Sequence, residues 1–402
     1  MKQFGNKLGH FFKAETVLAV AAVLAAISVF FVKPDRGYID YVDVRTLALL
    51  FCLMYVMAGF QRLGLFRSIA EGLLRRVGTD SVRVVLVLMF LCFFFAMLIT
   101  NDVALITFVP FTLTLLDLMG KERREKLIVP VIVLETLAAN LGSMMTPIGN
   151  PQNLYLYGKS GMSLGAFILF MLPLSLLALV FLGAEGILIG KSCRGMEETQ
   201  ISENKAASLS ASEEEAGKTK EKQAAKIFLL LYAGLFVLSL LTVADVLIYQ
   251  VVLGITLVAA ILLDRQTLKN VDYGLLATFV AFFIFIGNMG RLPFFASALE
   301  RMVTGHEVLV SVLTSQAISN VPAALLLSGF TENIPALIVG VNLGGMGTLI
   351  ASMASLISYK YVAKLEPDKK GKYFRHFTAA NICFLVLLVL GYLCGKTMGL
   401  YT

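Results

Sequence analysis

NLGSMMTPIGNPQNLYLY, residues 140–157, stands between two apolar runs, VPVIVLETLAA (129–139) and LGAFILFMLPLSLLALVFLGA (164–184). Its first fourteen residues hold three asparagines, a glutamine, a serine, a threonine, two glycines and two prolines. Proline lacks a backbone donor and clashes with the preceding helical turn, so Pro147 and Pro151 predict that a helix stops here. Gly149 loosens the chain further. Backbone freed inside an apolar passage is tolerated only where protein buries it or it lines a cavity. The stretch therefore reads as a broken helix whose polar groups face a binding site.

The surrounding chain is a membrane protein by composition. It is 58% hydrophobic and 15% charged, with a mean hydropathy of +0.81. AETVLAVAAVLAAISVFFV (14–32) is long enough to cross about 30 Å of hydrocarbon at roughly 1.5 Å per residue. It has no small-residue cleavage site and is read as a retained span. The apolar runs do not alternate in about ten-residue segments, which sets a β-barrel aside.

Basic residues cluster at 2–13, 62–83, 121–126, 191–226, 265–269 and 360–375, which together hold 27 of the 34. Placed in the cytoplasm, these segments satisfy the positive-inside bias, with the amino terminus inside and the carboxyl terminus outside a plasma (inner) membrane. Charges that flank spans rather than form one stripe speak against a nucleic-acid partner. The five cysteines show no metal or disulfide spacing, and no phosphate-cradling GxxxxGK[ST] loop is present. The histidines do not cluster, and no constellation of an enzyme is visible.

The chain repeats itself. VDVRTLALLFCLMYVMAGFQRLGLFRSIAEGLL (42–74) aligns without a gap on VDYGLLATFVAFFIFIGNMGRLPFFASALERMV (271–303). LITNDVALITF (98–108) then answers to AISNVPAALLL (317–327), and NLGSMMTPIGNPQN (140–153) to NLGGMGTLIASMAS (342–355). Three matches in one order indicate two homologous halves. Spans near 14–32, 44–61, 127–157 and 164–190, with one more at 227–243, place the second half on the opposite face and so invert it. The expected fold is an all-α polytopic membrane protein of two inverted repeats, each with a re-entrant hairpin (83–117, 307–330) and a broken transmembrane helix. That makes about nine full spans plus two hairpins, with interfacial helices at 64–78 and 292–304. Residues 1–190 form the first repeat, 191–226 a disordered cytoplasmic linker, 227–244 a linking helix and 245–402 the second repeat.

Inverted repeats with interrupted helices are the architecture of secondary transporters. The tips Thr100–Asn101–Asp102 and Ser319–Asn320–Val321, each followed by a broken helix with an NLG lead-in, resemble the ion transporter superfamily. That group holds divalent anion–sodium symporters, citrate carriers, arsenite permeases and a sodium/proton antiporter branch. The resemblance implies that Asn101 and Asn320 touch the solute, with Thr100 and Ser319 beside them. It also implies two cation sites, near Gly142, Ser143 and Thr146 and near Gly344, Gly345 and Thr348. A homodimer moving by an elevator mechanism is the family expectation. The tips depart from the Ser-Asn-Thr pattern of the dicarboxylate branch, and the acidic residue at 102 looks more like the citrate-carrier and arsenite-permease side.

The candidate solute-binding residues are therefore Thr100, Asn101, Asn150, Asn153, Ser319, Asn320 and Thr348. Candidate cation-binding or coupling residues are Asp102, Glu135, Asn140, Gly142, Ser143, Thr146, Pro147, Asn342, Gly344 and Gly345, with sodium or a proton as the ion and no other cofactor. A carboxylate at membrane depth must be paired, protonated or cation-bound, which singles out Asp102 and Glu135. The alternatives are that Asp102 only caps a helix starting at Val103 and that Glu135 only makes a packing hydrogen bond. The expected function is secondary active transport of a small anion, a carboxylate first, across the bilayer. Arsenite-type efflux and sodium/proton antiport come next, and a channel or pump subunit after them.

Overall fold

The computed structural model of the protein describes residues 16–77, 80–193 and 218–401. The amino-terminal basic segment 2–13 and most of the linker 191–226 lie outside the described residues. Chain order gives α1 (Thr16–Phe31), α2 (Val44–Arg62), α3 (Leu65–Val77), α4 (Ser81–Ile99), α5 (Asn101–Leu118) and α6 (Lys121–Ser143). A single 3-10 turn, Pro147–Gly149, leads into α7 (Pro151–Ser160), followed by α8 (Leu164–Lys191), α9 (Lys218–Val243) and α10 (Tyr249–Leu262). The remainder is α11 (Tyr273–Gly290), α12 (Pro293–Val303), α13 (Glu307–Ile318), α14 (Asn320–Leu327), α15 (Ile334–Gly344), α16 (Met353–Leu365) and α17 (Lys370–Thr397).

Among the described residues, eight helices are long and apolar enough to cross a membrane, so the protein is an integral membrane protein. A count by length alone differs from the expected nine or so spans plus two hairpins. The expected span at 14–32 and the apolar stretch 247–264 are present as α1 and α10, 16 and 14 residues long. The stretch 83–117 forms two helices of 19 and 18 residues, each long enough to cross alone, whereas its counterpart forms helices of 12 and 8. The division falls at the expected tip, Thr100–Asn101–Asp102. Both expected broken helices are seen, as α6 and α7 around residues 144–150 and as α15 and α16 around residues 345–352.

Helix α6 is the axis of the first half. From Leu127 to Ser143 every residue is buried except the half-buried Pro130, because α4, α5, α8, α16 and α17 all pack on it. Gly142 makes the closest of these approaches possible: a Cβ there would stand 2.0 Å from the Phe93 carbonyl oxygen of α4. No larger residue fits.

The packing crosses between the halves reciprocally. Helix α1 packs on α11 and its aligned partner α10 on α2; likewise α7 packs on α14 and α15, and α16 on α5 and α6. Ion pairs follow the same rule. Running the gapless alignment back from Val42 and Val271 pairs Asp35 with Asp264. Arg62 at the end of α2 bonds Asp264 at 2.6 Å, and Arg291, aligned with Arg62, bonds Asp35 at 2.7 Å. The Asp264 site is the buried one: Tyr232 donates to its carboxylate at 2.5 Å and Thr267 at 2.9 Å. Asn288 donates from Nδ2 to Ser28 and to Tyr38, both at 2.8 Å, tying α11 to α1 and to the segment after it.

Burial separates the two arginines. Asp264 is 4% exposed, so Arg62→Ala strands a buried carboxylate and is expected to cost about 2–3 kcal/mol. Asp35 and Arg291 are each nearly half exposed, so Arg291→Ala should leave stability close to the parent's. Thermal unfolding of the purified variants in one detergent checks the difference; equal melting temperatures would contradict it.

Candidate functional site

The tips come first. Asp80 caps α4, and the apolar run carries the helix to Ile99, where the chain turns through Thr100 at φ 72°, ψ 149°. The aligned Ser319 turns between α13 and α14 at φ 75°, ψ 156°. This region is close to glycine-only, and strain held there marks functional backbone. Neither hydroxyl makes a capping bond. The strain thus serves the direction of the chain, sending α5 and α14 off with Asn101 and Asn320 as their first residues.

The breaks come next. Thr146 accepts from the Gly149 N–H at 3.1 Å and donates to the Met97 carbonyl at 2.5 Å, pinning the first break to α4. In the second half the aligned Thr348 donates to the Gln316 carbonyl at 3.3 Å, and Gln316 aligns with Met97. Pro147 and Pro151 each open a helical turn, where a missing donor costs nothing. The helix ends that remain are then bonded by side-chain amides.

Asn140 is the hub. Its Oδ1 accepts from Asn101 Nδ2 at 2.9 Å and from Ser352 Oγ at 2.9 Å, and its Nδ2 reaches Ser355 Oγ at 3.5 Å. Ser143 donates to the Asn140 carbonyl at 2.8 Å and accepts from Asn150 Nδ2 at 2.7 Å. Asn153 Nδ2 faces the carbonyls of Ser143, Met144 and Thr146 at 3.2–3.4 Å. Across the halves, Asn342 donates to Asn153 Oδ1 at 2.7 Å, the counterpart of the Asn140–Ser355 contact. Asn320 is buried beside Gly345, where an added Cβ would stand 2.9 Å from its Nδ2.

A cavity of about 190 Å³ opens beside the first tip, between α2, the α4–α5 turn, the first break and α16. Thr100, Asp102 and Asn150 line it, together with Gln61, Asn270 and Asp272 and a wall of leucine, methionine and isoleucine. Asp102 does not cap its helix: α5 begins at Asn101, whose Oδ1 accepts from the Asp102 N–H at 2.9 Å. Asp102 Oδ1 is buried without a hydrogen-bond partner among the described residues. Glu135 is fully buried two turns before the break; Thr112 donates to one oxygen, and Oε2 is unpartnered among the described residues. The packing hydrogen bond of Glu135 is therefore present, beside one carboxylate oxygen that it does not engage.

Of the predicted residues, Thr100, Asp102 and Asn150 share the cavity, while Asn101, Asn140, Ser143, Asn153 and Asn342 form the network behind it. Ser319 and Asn320 lie on the other side of the network, against the carbonyl of Ala351. Thr348 is exposed. Three participants escape the sequence reading: Ser352, Ser355 and Gln316. The first two align with Asn150 and Asn153, and that correspondence was a usable signal; Gln316 aligns with a methionine and had none.

With this geometry in place, comparison with known proteins is informative. The sequence model of the citrate transporter family matches residues 11–335. The chain is similar to the Escherichia coli inner membrane protein YbiR, with 30% identity over 84% of this chain and 86% of that protein. An uncharacterized transporter of Methanocaldococcus jannaschii shows 32% identity over 79% and 81% of the two chains. A 46 kDa membrane protein of Mycobacterium leprae shows 23% over 79% and 78%. Interrupted helices, a polar hub between two homologous halves and these matches agree: the chain is a membrane transporter, not an enzyme, and belongs to the citrate transporter family.

Proposed function

We propose that the protein is a secondary active transporter that moves a small anion, a carboxylate, together with a cation. The cavity carries this reading. It holds two carboxylates, Asp102 and Asp272, and no lysine or arginine lines it. An anion entering there is met by amides, by the positive end of α5 and by a cation that offsets Asp102. Neutralisation by a sodium ion or a proton is what couples the two movements. The family's name supports a carboxylate over arsenite, and the uncompensated oxygens of Asp102 and Glu135 support a role for both in coupling.

The architecture fits this role as two inverted repeats meeting at the network, with α4–α5 and α13–α14 as hairpins whose tips face each other across it. The reciprocal contacts of α1 with α11 and α10 with α2, and the matched backbone of Thr100 and Ser319, support such a two-fold relation. The proposed setting is an inner membrane with the amino terminus and the linker 191–226 in the cytoplasm. A homodimer without a nucleic-acid partner completes the proposal.

A thermal-shift screen of purified protein against carboxylates, sulfate and arsenite, each with and without sodium and at two pH values, tests the solute and the ion together. A carboxylate should stabilise only when its ion is present; stabilisation by arsenite alone would replace this reading. Asp102→Asn keeps the shape of the tip and removes the charge. In proteoliposomes it should retain solute binding while the ratio of uptake with and without the coupling ion falls toward one. Full coupling in that variant would remove Asp102 from the mechanism. Glu135→Gln preserves the Thr112 contact, so a changed pH profile at unchanged melting temperature marks proton traffic, and a lowered melting temperature with the parent's profile marks packing.

A further inference from the structure

The resemblance places a cation at each break, and the second break contains something else. Gln316, one helical turn before Asn320, extends its side-chain amide into the turn between α15 and α16. Its Nε2 lies 2.9 Å from the Gly344 carbonyl, 2.9 Å from that of Met346 and 3.1 Å from that of Val312. Its Oε1 accepts from the Thr348 N–H at 2.8 Å. The main chain is wrapped tightly round the group. Gly347 sits at φ +110°, and a Cβ added there would stand 2.3 Å from Oε1 and 3.2 Å from Nε2.

An –NH₂ group has two hydrogens, so three carbonyls converging on one nitrogen share more acceptor capacity than it can fully satisfy. Such a convergence of oxygens on a single positive centre is the arrangement that a hard cation takes. The carbonyls involved include those that a cation near Gly344, Gly345 and Thr348 would use. At the aligned place in the first half stands Met97, which has no donor. There Asn153, from the far side of the break, faces the carbonyls of Ser143, Met144 and Thr146 at the longer distances of 3.2–3.4 Å, and of these Met144 alone is the counterpart of a residue that Gln316 reaches. The two breaks are thus aligned in sequence and unequal in what holds them, and Gly347 takes a positive φ that its aligned residue, Met145, does not.

We infer that the Gln316 amide stands in for a coupling cation at the second break, so that this break stays formed without an ion and the ion dependence of transport belongs to the first half. A buried carbonyl cluster needs a positive partner, because free carbonyls at membrane depth are costly. A tethered amide meets that need through a full transport cycle, whereas an ion must bind and leave. Gln316 is on this account a determinant of ion stoichiometry and not of solute choice. The inference rests on reading the break as an ion-coupling element, and it is independent of which solute is carried.

The test uses the full-length protein in detergent without solute, in sodium chloride and in choline chloride at equal ionic strength. Gln316→Met copies the first half's residue and removes the amide; Gln316→Glu keeps the shape and replaces the donor with an acceptor. Both variants should melt several degrees below the parent in choline, and sodium should raise each of them by several degrees more than it raises the parent. If sodium stabilises the parent as much as the variants, or leaves both variants as unstable as choline does, the inference is overturned. Failure of both to fold even in sodium overturns it equally, since the ion would then be unable to replace the amide. A failed solute screen alongside sodium-rescued variants would instead defeat only the carboxylate reading.

Discussion

Main-chain groups released at two helix breaks inside an apolar body must each find a partner, and the centre of this molecule is organised around that requirement. A buried donor or acceptor left unpaired costs about 1–3 kcal/mol, so two open breaks would consume much of a domain's stability. The chain meets the cost with uncharged amides and hydroxyls: Asn150 on Ser143, Asn153 on three carbonyls, Thr146 on Met97, Gln316 on the second break. These groups bring no charge into the apolar interior. They can also exchange their partners for a solute or an ion without leaving a buried charge behind.

Each break is completed by the opposite half. Asn140 accepts from Ser352, Asn342 donates to Asn153, and Tyr155 of α7 meets Ser328 at 2.9 Å. The outer helices repeat the exchange, with Arg62 on Asp264 and Arg291 on Asp35. Neither half therefore holds a complete polar centre by itself. Asn140 joins Asn101, Ser352 and Ser355 through shared hydrogen bonds, so a change at any one of them is felt by the others.

Charge is used sparingly and to one side. Asp102 and Glu135 are the carboxylates nearest the network, and each carries a buried oxygen without a partner among the described residues. Oδ1 of Asn150 and of Asn342 is likewise buried without a hydrogen-bond partner among the described residues, and no lysine or arginine lines the cavity to cancel the charge of Asp102. Asp102 faces a cavity; Glu135 is enclosed by α4, α5 and α8.

The sequence by itself determined that the chain is a membrane protein and that its helices break near 144–150 and 345–352, and it pointed to a repeated chain and to Asn101, Asp102, Asn140 and Asn153 as polar groups near the breaks. Those features follow from local chemistry: proline and glycine stop helices wherever they stand, and polar groups in apolar runs must be covered. Tertiary structure alone decided the backbone at the tips, because the sequence marks Thr100 and Ser319 as polar residues at a turn but not the positive φ that each adopts. It also decided the partners. Asp35 and Asp264 are ordinary loop acids until a crossing helix brings an arginine from the other half. Gln316 is one of several polar residues in α13 until the fold brings the carbonyls of Gly344 and Met346 to its nitrogen. Which groups meet across more than two hundred residues depends on how helices cross, and no local pattern encodes that.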